Sequence, residues 1–315
     1  MRVLITGING FVGSHLAELC ISKGDEVYGV VRHRSEMDNI SHILPLIKVF
    51  ECELTDYTNV KETIAKIRPD VIFHLAAQSY VPTSWKSPAD TLTNNIIGEL
   101  NILEAVREIV PECVIQIAGS SEEYGNPKYE PINEEHPLNP ASPYGVSKVA
   151  QDKLACQYAE SYKMKIVVTR GFNHTGPRRG HEFVCSAFAK QIVEAKNGDK
   201  IMVGNLEAIR DFTDVRDMIR AYYLAVTSDK IEYGVPYNIT TGNGIKIQYI
   251  LDTLIKISGK SLSVVQDPER MRPSDIKSLA GNSNKFRQAT GWQPEIGFDN
   301  TLADIYEYWD NKLNK

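Results

Sequence analysis

The sequence lacks the features that mark several large classes of protein. No apolar run among its 315 residues approaches the roughly 20 residues that a membrane-spanning helix needs. The formal net charge is −5 and lysine and arginine form no block, so nothing favours a nucleic acid or a membrane surface as the partner. Glycines interrupt the first residues where a signal peptide would need an apolar core. What remains is an ordinary globular composition, with 42% hydrophobic and 24% charged residues.

Cysteine is also scarce, and its distribution is informative. The chain has 5 cysteines, an odd number, scattered without the spacing of metal ligands. We therefore expect free and mostly buried thiols, no metal site, and a reducing cytoplasmic location.

The first glycines of the chain follow a short apolar segment. Val3–Ile5 is predicted as a buried strand and Ser14–Ser22 as a helix, and between them stand Gly7, Gly10 and Gly13. Glycines at this spacing let the backbone turn sharply and approach a pyrophosphate, which then lies on the N-terminus of the helix. The segment predicts a dinucleotide-binding turn.

The loop after the second predicted strand, Glu26–Val31, indicates which dinucleotide. An acidic residue at this point would hold the 2′-hydroxyl of the adenosine ribose. The chain instead carries Arg32, Arg34 and Ser35 here, which suit a 2′-phosphate. We predict NADP (NADPH), with NAD as the alternative.

Predicted strands and helices continue to alternate up to about residue 118. The strands are nearly all apolar, which is typical of a parallel sheet covered on both faces. The expected fold class is α/β, a Rossmann-type doubly wound parallel sheet. Further strands are expected at 47–52, 71–74, 114–118 and 235–239, and helices at 60–67, 91–109, 182–195, 211–227 and 247–258.

Tyr144 and Lys148 are candidates for acid/base chemistry. They are four residues apart on a helix that Ser142 would cap and Pro143 would begin, so they share one face. A nearby ammonium favours the phenolate form of a tyrosine. This spacing alone is weak evidence of a catalytic role. Ser120, at the carboxyl end of the fifth strand, supports that role because ligands bind at this edge of such sheets.

These segments together resemble the extended short-chain dehydrogenase/reductases, in order and separation, over essentially the whole chain. Enzymes of that family use a nicotinamide cofactor and act mostly on nucleotide-activated sugars. The resemblance implies an NADP-binding domain at 1–170 plus about 211–240. It also implies a smaller, interleaved C-terminal α/β domain, at about 171–210 and 241–315, that binds the nucleotide sugar.

Four later segments are similar to the GDP-mannose branch of the family: Arg170–Pro177, Val203–Phe212, Met271–Asp275 and Thr290–Pro294. Two activities share these features. One reduces the 4-keto group of GDP-4-keto-6-deoxy-D-mannose, and the other, a GDP-mannose 4,6-dehydratase, makes that compound with tightly bound NADP. We expect the reductase and keep the dehydratase as the alternative. A non-catalytic NADP-binding protein and an enzyme that acts on a GDP-linked heptose are further alternatives.

The resemblance also implies roles for the catalytic candidates. Tyr144 would manage the proton at the sugar C4 oxygen, with its pKa lowered by Lys148 and by the oxidised nicotinamide. Ser120 would share a hydrogen bond with that oxygen, and Lys148 would hold the nicotinamide ribose. Glu122 aligns with the base that dehydration requires, so it permits dehydration without proving it.

The remaining implied contacts fall into two sets. The residues expected to bind the cofactor are Gly7, Asn9, Gly10, Phe11, Val12, Gly13, Arg32, Arg34, Glu53, Leu54, Leu75, Ala76, Ala77, Asn95, Tyr144 and Lys148. The residues expected to bind the GDP-linked sugar are Gln78, Ser79, Ser121, Asn173, Arg179, Val203, Asn205, Arg210, Arg272 and Asp275. The family also implies a homodimer, or a tetramer, that pairs through the helices at about 91–109 and 144–162.

Overall fold

A seven-stranded parallel sheet organises the first part of the protein. The computed structural model describes residues 1–270 and 276–314. The strands of this sheet are β1 Arg2–Thr6, β2 Glu26–Val31, β3 Lys48–Glu51, β4 Val71–His74, β5 Val114–Ser120, β6 Lys165–Gly171 and β10 Pro236–Ile239. Their order is β10-β6-β5-β4-β1-β2-β3, which reverses direction beside β1 and so forms a crevice at the carboxyl ends of the strands.

Helices cover both faces of this sheet because successive strand residues point in opposite directions. The helices of this part are α1 Phe11–Ser22, α2 Tyr57–Ile67, α3 Val81–Lys86, α4 Pro88–Leu92, α5 Gly98–Ile109, α6 Pro143–Tyr162 and α8 Val215–Thr227. Val3 and Ile5 pack on one side of the sheet with α1 and α8, whereas Leu4 packs on the other side with α2 and α5.

Smaller sheets and four helices form the remainder. These elements are β7 Asn173–Thr175, α7 Val184–Glu194, β8 Lys200–Val203, β9 Ile209–Asp214, β11 Gly244–Lys246, α9 Ile247–Ser258, β12 Ser263–Gln266, β13 Ser278–Leu279, α10 Asn284–Thr290 and α11 Phe298–Leu313. Strand β9 pairs with β7, β11 and β13, and β8 pairs with β12. A separate apolar core joins α7, α9 and α11.

The predicted fold class is confirmed, and two element predictions need correction. Residues 211–214, expected to begin a helix, belong to β9, and the helix begins at Val215. The single helix expected over 91–109 is α4, a π-helical turn at Thr93–Ile97, and α5. The boundaries of the two domains stay a prediction.

Two further features concern the whole described chain. All five cysteines are unpaired and four of them are buried. Among residues 1–270 and 276–314, no helix is both long and apolar enough to cross a bilayer.

Candidate active site

The glycine turn between β1 and α1 leaves the start of that helix open. Gly7 adopts a φ of +69°, and a Cβ on Gly13 would overlap the carbonyl oxygen of Gly7. Gly10 is the N-cap of α1, and it provides no side-chain hydrogen bond to the first turn. The N–H groups of the first turn of α1, at the carboxyl end of β1, fit the pyrophosphate of a dinucleotide. Asn9, Phe11 and Val12 lie in the same turn.

The segment Leu75–Ala77 is held against this turn by a contact that the sequence did not reveal. The Thr6 hydroxyl accepts hydrogen bonds from the N–H groups of Leu75 (3.1 Å) and Ala76 (3.0 Å) and also bonds to His74 Nδ1 (2.9 Å). Burial lowers the pKa of His74 to about 3, so its ring is neutral at physiological pH. Ala76 lies so close that a Cβ on Gly7 would come within 3.2 Å of its Cα.

Arg32 and Ser35 line a cleft of about 410 Å³ beside the glycine turn. Arg34 is exposed, with a φ of +58°, and is not among the lining residues. The cleft also contains side chains of α11 that the sequence did not point to, including Lys312. The lining residues are Asn9, Arg32, Ser35, Glu36, Asp38, Asn39, Arg178, Arg179, Gly180, His181, Tyr308, Trp309 and Lys312.

Glu53 and Leu54 follow β3 at the same edge of the sheet. The Glu53 carboxylate accepts from the Thr55 hydroxyl at 3.1 Å. The Leu54 carbonyl accepts from Asn101 Nδ2 at 2.8 Å. Glu53 therefore bonds within its own loop, and Leu54 bonds to α5.

Three functional groups meet where β5 ends and α6 begins. Ser142 accepts a hydrogen bond from the Gly145 N–H (3.1 Å) and so caps α6, which places Tyr144 in its first turn. The Ser120 side chain hydrogen-bonds the Tyr144 phenol. Lys148 Nζ donates to the Ala118 carbonyl at 2.8 Å and lies 5.9 Å from the centre of the tyrosine ring.

The expected direction of one pKa shift is wrong in this structure. Burial raises the pKa of the Tyr144 phenol to about 12, although the hydrogen bond from Ser120 opposes the change. Burial likewise lowers the pKa of Lys148 to about 8. Desolvation disfavours the charged form of each group, and at the phenol it outweighs the opposing effects of Ser120 and of the Arg179 guanidinium.

The π-helical turn before α5 brings Asn95 under the loop that follows β4. Asn95 is fully buried; it accepts from the Gln78 N–H (2.8 Å) and donates to the Gln78 carbonyl (3.1 Å) and to Ser147 (2.9 Å). The Gln78 amide in turn bonds to Tyr80 and Thr91. Asn95 therefore joins the loop to α6, and Gln78 joins it to α4. Ser79 is exposed.

Glu122 lies in a short 3₁₀ turn, Ser121–Glu123, directly after Ser120. Its N–H donates to Ser120 Oγ at 3.2 Å, and its half-buried carboxylate is close enough to Tyr144 to add to the rise in the phenol pKa. Ser121 is buried, as is Glu123, whose Oε1 accepts the Ser120 N–H at 2.7 Å. Glu123 was not among the expected site residues.

Four of the expected substrate contacts lie on or beside the smaller sheets. Asn173 is in β7, which runs beside β9, where Arg210 is buried. Val203 ends β8, and Asn205 follows it and accepts from the Glu207 N–H at 3.0 Å. Arg272 and Asp275 lie outside the described residues.

The paired arginines after Pro177 have different surroundings. Arg178 donates to Glu18 on α1 at 2.9 Å. The Arg179 guanidinium lies 3.4 Å from the ring centre of Phe183 and 4.9 Å from that of Phe11, and its charge lowers the pKa of the nearby Tyr144. Burial lowers the pKa of Arg179 to about 10, so it remains a cation at neutral pH. Arg179 therefore lies between the glycine turn and the tyrosine.

Comparison with known proteins identifies the family. The family model for GDP-mannose 4,6 dehydratase matches residues 4–305. The chain belongs to the GDP-mannose 4,6-dehydratase family. This confirms the resemblance inferred from the glycine turn, the tyrosine–lysine pair and the later segments.

Relatives named for each of the two expected activities are similar to this chain. The GDP-6-deoxy-D-mannose reductase of Pseudomonas aeruginosa is 32% identical over 100% of this chain and 99% of its own length. GDP-mannose 4,6 dehydratase 2 of Arabidopsis thaliana is 33% identical over 94% of this chain and 83% of its own.

Solved structures give the same fold. The structure of RMD from Pseudomonas aeruginosa complexed with NADPH superposes with a TM-score of 0.85 at 29% identity, covering 99% of this chain and 100% of that one. The UDP-glucose 4-epimerase of Thermotoga maritima with UDP-glucose reaches a TM-score of 0.91 at 28% identity, with the same coverage.

Proposed function

We propose that this protein reduces the 4-keto group of GDP-4-keto-6-deoxy-D-mannose with NADPH. The observation that carries the proposal is the meeting of Ser120, Tyr144 and Lys148 beside an open helix N-terminus suited to a dinucleotide. The similarity to a reductase along nearly the whole of both chains supports the substrate. The NADPH complex of a structural relative and the position of Arg32 support the cofactor.

The residues divide the reaction between them. The bound dihydronicotinamide would supply a hydride to the C4 carbon. Tyr144 would give its phenolic proton to the C4 oxygen as the carbonyl becomes an alcohol, and the raised pKa of the phenol keeps that proton in place beforehand. Ser120 would hydrogen-bond the same oxygen, and Lys148 would hold the ribose.

Arginine and asparagine side chains would hold the GDP part. Arg179 is a partly buried cation beside Tyr144, and Arg210 and Asn173 are on neighbouring strands. Cations and amide donors suit the diphosphate oxygens, so these residues would fix the sugar in reach of the phenol.

Dehydration of GDP-mannose is the second candidate, because Glu122 lies beside the phenol. Removal of the C5 proton needs a base within reach of the sugar, and the Glu122 carboxylate influences the pKa of Tyr144. Relatives named as dehydratases add to this candidate.

Mass spectrometry and NADPH absorbance separate the two activities. The reductase should consume NADPH when supplied with the 4-keto-6-deoxy sugar nucleotide, and it should leave GDP-mannose unchanged with trace NADP. Loss of water from GDP-mannose, without NADPH consumption on the keto sugar, would establish the dehydratase instead.

A cytoplasmic homodimer fits the same proposal. Ile97, beside α5, and Val146, on α6, are apolar side chains that are 38% and 46% exposed. Pairing of these helices between two copies would cover them. Light scattering of the purified protein measures the number of copies.

A further inference from the structure

The cleft beside the glycine turn includes the end of α11, and none of the expected cofactor contacts is in that helix. Arg32 and Ser35 line the cleft where the 2′-phosphate of NADP is expected. The last turns of α11 line the same cleft through Tyr308, Trp309 and Lys312. Its volume of about 410 Å³ lies within the roughly 300–1,000 Å³ of small-molecule sites.

Contacts between separate segments shape this cleft. Asn9 Nδ2 in the glycine turn donates to the Glu36 carbonyl at 2.9 Å, and Asn39 Nδ2 donates to the Asn9 carbonyl at 3.0 Å. The rings of His181 and Trp309 meet at nearly a right angle, with 6.3 Å between their centres. The loop after β2 is therefore held against the glycine turn, and α11 is held against the loop that precedes α7.

The cations of the cleft differ in their partners. Of the residues that the structure describes, four lysines and arginines line it, and two of these are engaged within the protein. Arg178 donates to Glu18 at 2.9 Å, and the Arg179 guanidinium lies over an aromatic ring. The other two, Arg32 and Lys312, form no ion pair with residues 1–270 and 276–314. These two charges are therefore the ones that a bound anion can neutralise.

Two aromatic rings support the Lys312 ammonium. It donates to the Tyr308 hydroxyl at 3.2 Å, and it lies 5.5 Å from the ring centres of both Tyr308 and Trp309. A lysine beside aromatic rings keeps its charge, and its ammonium has three N–H donors, of which Tyr308 takes one. Trp309 is only 5% exposed and belongs to the apolar core of α7, α9 and α11, so this support is firmly packed.

We propose that Lys312 is a second cation for the 2′-phosphate of NADPH, together with Arg32, and that it helps the protein to select NADPH over NADH. The inference rests on the proposed NADPH-dependent function and on the expected position of the 2′-phosphate beside Arg32. A phosphate monoester carries about −1.5 to −2 charges at neutral pH and has three acceptor oxygens, so it can accept from both side chains. The acids that line the cleft, Glu36 and Asp38, are exposed, and salt and water screen their charges.

Lys312→Gln removes the charge and keeps a polar side chain beside Tyr308. NADH has a hydroxyl in place of the 2′-phosphate, so the variant should weaken NADPH by about 5–20-fold and change the affinity for NADH by less than about twofold. Lys312→Arg keeps the charge and should retain most of the preference. Lys256→Gln is the matched control, because Lys256 is an exposed lysine in the last turn of α9 and does not line the cleft. It should leave both affinities unchanged.

Calorimetric titrations with both cofactors measure these affinities without any sugar nucleotide, so the result does not depend on which reaction the protein catalyses. Adenosine 2′,5′-bisphosphate and adenosine 5′-monophosphate isolate the 2′-phosphate, and only the bisphosphate should lose affinity in Lys312→Gln. Thermal unfolding shows whether the variants fold, and Lys312→Met, which keeps the length of the side chain, decides if Lys312→Gln does not.

Two results overturn the inference. One is a folded Lys312→Gln that keeps the full preference for NADPH; the other is an equal loss for NADPH and NADH, which a structural change in α11 would produce. Arg32→Ala shows which proposal has failed. If it abolishes the preference and Lys312→Gln does not, only the role of Lys312 is overturned. If neither variant changes the preference, the expected position of the 2′-phosphate is overturned as well.

Discussion

Two helices begin at the same edge of the large sheet in opposite ways. α1 begins after a glycine turn and receives no side-chain cap, whereas α6 begins with the Ser142 cap and Pro143. The first leaves N–H groups for a ligand to satisfy, and the second satisfies them within the chain. The two helices therefore suit different tasks. The uncapped α1 can bind an anion, and the capped α6 can hold the catalytic candidate Tyr144 in a fixed position.

The largest expected effect tests the chemical half of this comparison. Tyr144→Phe removes the proton donor and leaves the ring, so hydride transfer should fall by about 10²–10⁴-fold. NADPH affinity, measured by fluorescence, should change little because α1 is unaltered. Stopped-flow absorbance of NADPH measures the hydride step.

Tyr162→Phe is the matched control, since this tyrosine is on the last turn of the same helix and is 49% exposed. It should retain full activity. Undiminished hydride transfer in Tyr144→Phe would remove the phenol from the reaction.

The next effect tests the binding half. Arg32→Ala combined with Arg34→Ala should weaken NADPH by about 10–100-fold, because a charge-assisted hydrogen bond is worth about 1.5–3 kcal/mol, and should weaken NADH far less. Arg32 lines the cleft and Arg34 does not, so the single Arg32 variant should account for most of the loss.

Calorimetric titrations with both cofactors measure these affinities. Lys23→Ala, an exposed cation just after the last turn of α1, provides the control. Equal losses for NADPH and NADH would show that the arginines do not recognise the 2′-phosphate.

The smallest effect tests whether α6 depends on its own cap. Ser142→Ala should lower the free energy of unfolding by about 1 kcal/mol, and Ser142→Gly by only a few tenths. Urea denaturation monitored by circular dichroism measures both. If Ser142→Ala proves as stable as the unsubstituted protein, the hydrogen bond to Gly145 contributes nothing to the folded state.

The sequence was most informative where one segment carries its own signal. The glycine turn, the apolar strands and the cap of α6 all depend on neighbours in the chain. The prediction of Ser142 and Pro143 at the start of α6 is confirmed.

The sequence was least informative where distant residues decide the structure. Residues 211–214 form a strand because they pair with β7, about 40 residues earlier in the chain, and with β11, about 30 residues later. Asn95 lies in a π-helical turn because its amide must reach Gln78 and Ser147. Neither partner is visible from periodicity, and the same holds for the buried Glu123 carboxylate that accepts the Ser120 N–H.

The cleft beside the glycine turn is built from segments that are far apart in the sequence. Arg32 belongs to the second loop, and Lys312 to the last helix. During synthesis the glycine turn emerges first, and the cleft is complete only after α11 has left the ribosome. Binding of a ligand in this cleft would therefore come late in folding. The bound ligand would contact both the loop after β2 and α11, and so would stabilise the folded state.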